Sequence, residues 1–190
     1  MLKDLILATR TYRKYDQSYE VKVEELKALI DQARFSNSAT NTQPLKYKIV
    51  CEKTLVEQIF GITIWGRRYK NYSGPAQGER ATGYIAVCCD TTIKAAASVG
   101  IDVGIVSELI ALGAWEAGLG SCMIGSFAKD KCKEILSLPE NIEPMLLIAF
   151  GKPNDTIVLE EITEGESTDY YRDENGVHHV PKRKLEDILL

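Results

Sequence analysis

Two histidines are all that the 190-residue chain holds, and His178-His179 lacks the spaced cysteine or carboxylate pattern of a zinc site. A metal centre is therefore not expected. Cysteines number five, an odd count with no CxxC pair. That argues against a disulfide framework or a dithiol redox motif and favours buried, reduced thiols in a cytoplasmic protein. Cys88 and Cys89, adjacent within an apolar run, should face opposite ways if that run is a strand. No Walker loop, GxSxG elbow or GxGxxG fingerprint occurs, so nothing points to a P-loop, an α/β-hydrolase nucleophile or a Rossmann dinucleotide site. The apolar stretch Ala95 to Leu119 is interrupted by Asp102, Glu108 and Glu116, which fits a buried helix better than a membrane span. The N-terminal apolar run, Leu5 to Ala8, is too short for a signal peptide. Excess positive charge is also missing. Net charge is −4, so general nucleic-acid binding is disfavoured.

What is present reads as a single α+β domain over residues 1–190, with residues 160–190 as an extended arm. Leu2 to Thr9 and Val23 to Phe35 have helical spacing of apolar residues, and Glu24 and Glu25 suit the positive end of the second helix. Tyr47 to Glu52 reads as a strand. Thr54 and Glu57 have capping-box spacing for a short helix through Phe60. Trp65 to Arg80 reads as a long loop or irregular helix. Thr82 to Cys89, Ser121 to Ile124 and Met145 to Phe150 read as strands, and Lys129 to Leu136 as a helix. Ala95 to Leu119 is apolar nearly all round and should be a buried central helix ended by Gly118-Leu119-Gly120. Glu160 to Asp169 is acidic, and the arm should end in a packed helix at Leu185 to Leu190. Without regular βαβ alternation, the pattern favours a sandwich with a mixed central sheet flanked by helices.

Four segments can carry chemistry. Arg10-Thr11-Tyr12-Arg13 places two guanidinium forks and a hydroxyl at a helix end, which suits phosphate oxygens; a solvated basic helix end accounts for it equally well. Asn37-Ser38-Ala39-Thr40-Asn41-Thr42-Gln43-Pro44 crowds amides that both donate and accept, as a heterocycle edge requires, although on composition alone it is an ordinary Asx-rich loop. Gly118 to Gly125 permits close backbone approach to a planar ligand, or simply a packed helix-strand turn. Pro181-Lys182-Arg183-Lys184 is either a free basic tail or a docked one; Leu185, Ile188, Leu189 and Leu190 favour docking. Asp102, in the apolar helix, is best read as a structural hydrogen-bond acceptor.

In this order the four segments resemble the FMN-dependent nitroreductase family across about residues 5 to 186. Arg10 to Tyr15 is similar to that family's Arg-Ser-x-Arg-x-aromatic motif, with Thr11 for serine. Asn37 to Pro44 resembles its Pro-Ser-x-x-Asn-x-Gln-Pro loop, and Gly118 to Gly125 its Gly-Leu-Gly-Ser-Cys-x-Ile-Gly turn. Thr9, Asn37 and Leu45 depart from a common arginine, proline and tryptophan. The resemblance implies a homodimer with two FMN sites at the subunit interface. It implies that Arg10, Thr11 and Arg13 hold the phosphate and ring edge, that Lys182 and Arg183 complete the phosphate site, that Asn37, Ser38, Ala39 and Asn41 line the flavin, and that the backbone at Ile124 and Gly125 approaches it. Electrons would pass from NADH or NADPH through FMN to a nitroaromatic, quinone or similar small acceptor, with no protein residue as catalytic acid or base. A specialised flavin reaction (dehalogenation or flavin cleavage) and a non-catalytic flavin-binding dimer are the alternatives. Trp65, Tyr69 and Tyr72 are candidates to stack on an aromatic acceptor, with Arg67 or Arg68 attracting an anionic one.

Overall fold

The computed structural model describes residues 1–69 and 72–190. Lys70 and Asn71, inside the loop expected at Trp65 to Arg80, lie outside the described residues. The chain begins with α1 (Leu2–Ala8), β1 (Tyr15–Asp16), α2 (Val23–Ala33), β2 (Leu45–Val50), α3 (Lys53–Gly61) and β3 (Gly83–Asp90). It continues through α4 (Gly100–Glu116), β4 (Gly120–Ile124), α5 (Lys129–Ile135) and the long β5 (Ile142–Pro153). An arm follows, with β6 (Ile157–Ile162), β7 (Tyr171–Arg172) and β8 (His178–Arg183).

β5 organises the central sheet. It pairs with β3 along one edge and with β4 and then β1 along the other, while β2 flanks β3. The named strands of this sheet pair antiparallel, and a parallel Thr11–Ser121 bridge extends its edge. β3 and the middle of β5 are apolar on both sides because helices cover both faces. Tyr84, Ala86, Cys88, Leu147 and Ala149 share one core with Val56 of α3 and Cys132 of α5. Ile85, Val87, Cys89, Ile148 and Phe150 share the other with Leu26 of α2 and Ile110 of α4. The two adjacent thiols thus enter opposite cores, as strand alternation requires. Burial pushes the Cys88 thiol up to about 12 and those of Cys122 and Cys132 up to about 11, so none of the three is a ready nucleophile.

Three local expectations change. α3 is not capped by Thr54. Glu52, two residues earlier, is the cap, and its carboxylate accepts from the Thr54 and Leu55 N–H groups at 2.9 Å each; a carboxylate satisfies two orphan donors where a hydroxyl satisfies one. The central helix is shorter than its apolar run, because residues Ala96–Ser98 form a separate 3-10 turn. It is also one-sided: Ile101 is 75% exposed and Leu109 39%. The C-terminal helix is reduced to a 3-10 turn at Glu186–Ile188, and Leu185, Ile188, Leu189 and Leu190 are exposed in the single chain.

Glycines fix the entry of the basic segment onto the sheet. A Cβ at Gly151 would lie 2.8 Å from the Tyr15 ring, and one at Gly120 would lie 2.9 Å from the Tyr12 ring. Both tyrosines therefore lie flat against β5 and β4, and Tyr12 also stacks on Trp115 at 5.2 Å. Glycine at these two positions lets the sheet edge hold the chain on both sides of Arg13.

Candidate functional site

The basic segment leaves α1 through Thr9, whose hydroxyl donates to the Leu5 carbonyl at 2.8 Å. Arg10 donates to the Ile6 carbonyl, so it does complement the negative end of α1. Thr11 bridges to Ser121, and the Tyr12 N–H donates to the Ser121 carbonyl at 2.9 Å. Arg13 is different: it is 9% exposed. Its guanidinium lies over the Tyr170 ring at 4.7 Å, and its backbone N–H donates to Asp155 at 3.4 Å. Asp155 in turn takes a bidentate pair from Arg172 at 2.7 and 2.8 Å. The ends of the chain do meet, as the basic clusters required.

Their meeting encloses a cavity of about 370 Å³. The N-terminal segment supplies Thr9, Arg10, Thr11 and Arg13; β4 supplies Ser121 and Met123; α4 supplies Glu108 and Ala111. The arm supplies Tyr170, His178, Val180 and Lys182. The last three are alternate residues of β8, so one face of that strand forms a wall. Arg183, on the other face, does not line the cavity. Arg10 Nε, Arg13 Nη1 and both His178 ring nitrogens are buried without a hydrogen-bond partner among the described residues. Burial, and then Arg13 and Arg172, push His178 down to about 4. The imidazole is therefore neutral at physiological pH.

The amide loop lines a second cavity, of about 250 Å³, with Asn37, Ser38, Gln43, Pro44 and the α4 residues Asp102 and Val106. Its shape is strained. Thr40, Asn41 and Gln43 take φ values of 54°, 54° and 49°, a left-handed region that a β-branched residue rarely enters. Asp102 holds the loop in place. Its carboxylate accepts from the Ser38 hydroxyl at 2.7 Å, the Ala39 N–H at 3.0 Å and Lys94 Nζ at 3.1 Å. The Ser38 hydrogen bond, opposed by burial, leads in holding the Asp102 carboxyl below its usual range. Ser38 also accepts from the Gln43 N–H at 3.1 Å. Its hydroxyl is thus occupied inside the protein, while Asn37, Ala39 and Asn41 are exposed.

Arg10, Thr11, Arg13 and Lys182 therefore share one cavity, and Asn37 and Ser38 share another. Ala39 and Asn41 lie in the loop that rims the second. Ile124 and Gly125 line neither; Ile124 is buried in the core and Gly125 is exposed. Trp65 is not free to stack on a ligand: it packs against Phe60 at 6.0 Å, and its indole N–H donates to Thr63 at 2.8 Å. Arg68 pairs with Asp169 at 3.3 Å. Tyr69 reaches the cavity wall instead, edge-on to Tyr170 and His178 at 5.0 and 5.7 Å. Sequence reading weighed His178 only as a metal ligand, and passed over Tyr170 and the Asp155–Arg172 pair. The alternation of His178, Val180 and Lys182 was the available signal for the first.

A family model described as Nitroreductase family matches residues 6–152. The chain belongs to the nitroreductase family. That places it among oxidoreductases. A protein of Archaeoglobus fulgidus, named as a candidate NADH dehydrogenase/NAD(P)H nitroreductase, is 24% identical over 157 residues, covering 80% of this chain and 84% of its own. The fold of a nitroreductase family protein from Streptococcus pneumoniae TIGR4 matches 100% of this chain and 99% of its own, with a TM-score of 0.69 at 19% identity. A Clostridium difficile R20291 structure described as an FMN-dependent nitroreductase covers 81% of this chain and 91% of its own, with a TM-score of 0.62 at 21% identity. The nitroreductase fold thus extends over the arm as well as the central sheet. Among the described residues, no helix is long and apolar enough to cross a membrane and no cluster of three metal-ligating side chains occurs.

Proposed function

We propose that this nitroreductase family member is an FMN-dependent NAD(P)H oxidoreductase. It would act as a homodimer and deliver electrons to a nitroaromatic, quinone or similar small acceptor. The observation that carries the reading is the basic cavity, where three cations converge and the buried Arg13 has a guanidinium nitrogen without a partner among the described residues. Such a donor set fits a phosphate, because guanidinium meets its oxygens with paired, charge-assisted bonds. Arg10, Arg13 and Lys182 would hold the FMN phosphate there, and Thr11 would add a hydroxyl. FMN supplies the hydride-accepting, electron-donating ring when bound. The chain's own part is to bind, orient and enclose; we assign it no general acid or base.

The course of α4 supports the dimer reading. Asp102, in its first turn, anchors the amide loop, while Glu108 and Ala111 line the basic cavity further along. An antiparallel pairing of two α4 helices would set the loop of one protomer against the basic cavity of its partner. Asn37, Ser38, Ala39 and Asn41 would then complete a flavin site with Arg10 and Arg13 across the interface. The exposed Ile101 and Leu109 on α4, and the exposed leucines at the C-terminus, are the apolar surface such a pairing would cover. We read residues 160–190 as an arm of the same single domain and the protein as cytoplasmic.

One spectrum tests the redox reading. Purified protein saturated with FMN should retain yellow absorbance through gel filtration and bleach under NADH or NADPH without oxygen. Retained colour that never bleaches would instead support a binding protein without turnover. The dimer is checked by sedimentation, where Ile101→Glu with Leu109→Glu should yield a monomer that no longer retains flavin.

A further inference from the structure

We propose that His178 is a phosphate-contacting residue of the basic cavity, donating an N–H hydrogen bond to a phosphate oxygen that Arg13 and Lys182 also hold. Three observations converge on it. His178 shares the wall-forming face of β8 with Lys182, so it is placed by the same strand that places a cation of the site. Its ring lies edge-on to Tyr69 at 5.7 Å and tilted against Tyr170 at 5.5 Å, both beside Arg13. It is 1% exposed, yet neither ring nitrogen meets a protein partner among the described residues.

A buried polar group without a hydrogen bond costs about 1–3 kcal/mol, so a histidine kept only for packing would be a poor choice here. Its neighbour makes the contrast. His179, on the opposite face of β8, bonds Glu160 at 2.5 Å and faces Asp173 at 3.5 Å. His179 thus has two carboxylates beside it, although its Nε2 also makes no hydrogen bond, whereas neither His178 nitrogen has a hydrogen-bond partner among the described residues. A bound phosphate oxygen would satisfy one nitrogen of a ring already fixed by two tyrosines, with little rotamer entropy to lose.

The inference deepens the flavin reading and can fail separately from it. His178→Phe keeps the ring between Tyr69 and Tyr170 and removes both nitrogens. If His178 serves the phosphate, FMN affinity falls about tenfold, riboflavin affinity is unchanged, and thermal stability of the flavin-free protein is equal or higher. A merely structural histidine would instead lower stability and affect both flavins alike. Unchanged FMN affinity, or an equal loss for riboflavin, overturns the assignment. The second measurement uses wild-type protein and inorganic phosphate, followed by ¹⁵N resonances of the His178 imidazole. Movement of those resonances with saturation supports the contact; resonances that stay fixed overturn it. Wild-type protein that shifts His178 with phosphate but binds no FMN would refute the flavin reading and leave this contact standing.

Discussion

The amide loop and the basic cavity are both polar, both touch α4 and both carry residues of the family's motifs. They differ in how their polar atoms are satisfied. In the loop, Ser38, Ala39 and Lys94 all donate to Asp102, and Ser38 accepts from Gln43. The side chains there hold the backbone in a left-handed shape that the sequence alone would resist. In the cavity, Arg10, Arg13 and His178 each keep a buried nitrogen without a partner among the described residues. The loop is a frame of internally satisfied polar groups; the cavity is lined by buried donors without partners among the described residues, a set that suits an anion. Substitutions should therefore act on stability at the first and on ligand affinity at the second.

The largest effect is expected at the frame. Asp102→Ala leaves Lys94 and two donors around a buried, uncompensated site, at a cost of about 3 kcal/mol. Urea unfolding should show the loss directly. A variant with wild-type stability would mean that the loop holds its shape without Asp102.

Next comes the cavity. Arg13→Ala removes a buried, charge-assisted donor, worth about 2 kcal/mol of FMN affinity. That is about a thirtyfold rise in Kd, to be read from flavin fluorescence quenching. Retention of wild-type affinity would break the comparison at its centre, because Arg13 is the most enclosed cation of the site.

The same cavity should make stability depend on pH. His178 is surrounded by Arg13, Arg172 and His179, which disfavour its proton, with Asp155 opposing them and burial dominating. The folded protein therefore refuses a proton that the unfolded chain accepts between pH 6.5 and about 4. Flavin-free protein should lose roughly 1.4 kcal/mol per pH unit as pH falls through that window, and nothing above it. Urea midpoints at pH 7 and pH 5 check this, with His178→Phe as the variant in which this component is absent. Equal pH sensitivity in the two proteins would remove His178 as the source.

Much of this was legible in the chain. Runs such as Thr82 to Cys89 and Met145 to Phe150 revealed the central strands, because a strand covered on both faces is apolar without alternation. Arg10, Thr11, Arg13 and Lys182 were found as charge clusters and now share a cavity. What was hidden depended on contacts distant in sequence. β1 is two residues held by β5, more than 130 positions away, and no local periodicity marks it. Trp65 looked available for a ligand, yet Phe60 and Thr63 enclose it. The one-sided exposure of α4 was masked by its composition. A helix apolar all round looks the same whether its second face meets its own core or another protomer.

The smallest effect separates two neighbours that charge alone makes equivalent. Lys182 and Arg183 were read together as a basic pair, but adjacent strand residues face opposite ways. Lys182 lines the cavity, while Arg183 lies on the other face of β8 beside its register partner Ile162. Both are exposed, so screening by solvent keeps each contribution near 1 kcal/mol or below. Lys182→Ala should raise the FMN Kd by about fivefold at low ionic strength and by less at high salt. Arg183→Ala in a single protomer's site should leave it within about twofold. If Arg183→Ala weakens FMN as much as Lys182→Ala does, the face of β8 ceases to be the rule. Arg183 must then reach a phosphate from the second protomer's arm, and the cavity of one chain would be only part of the site.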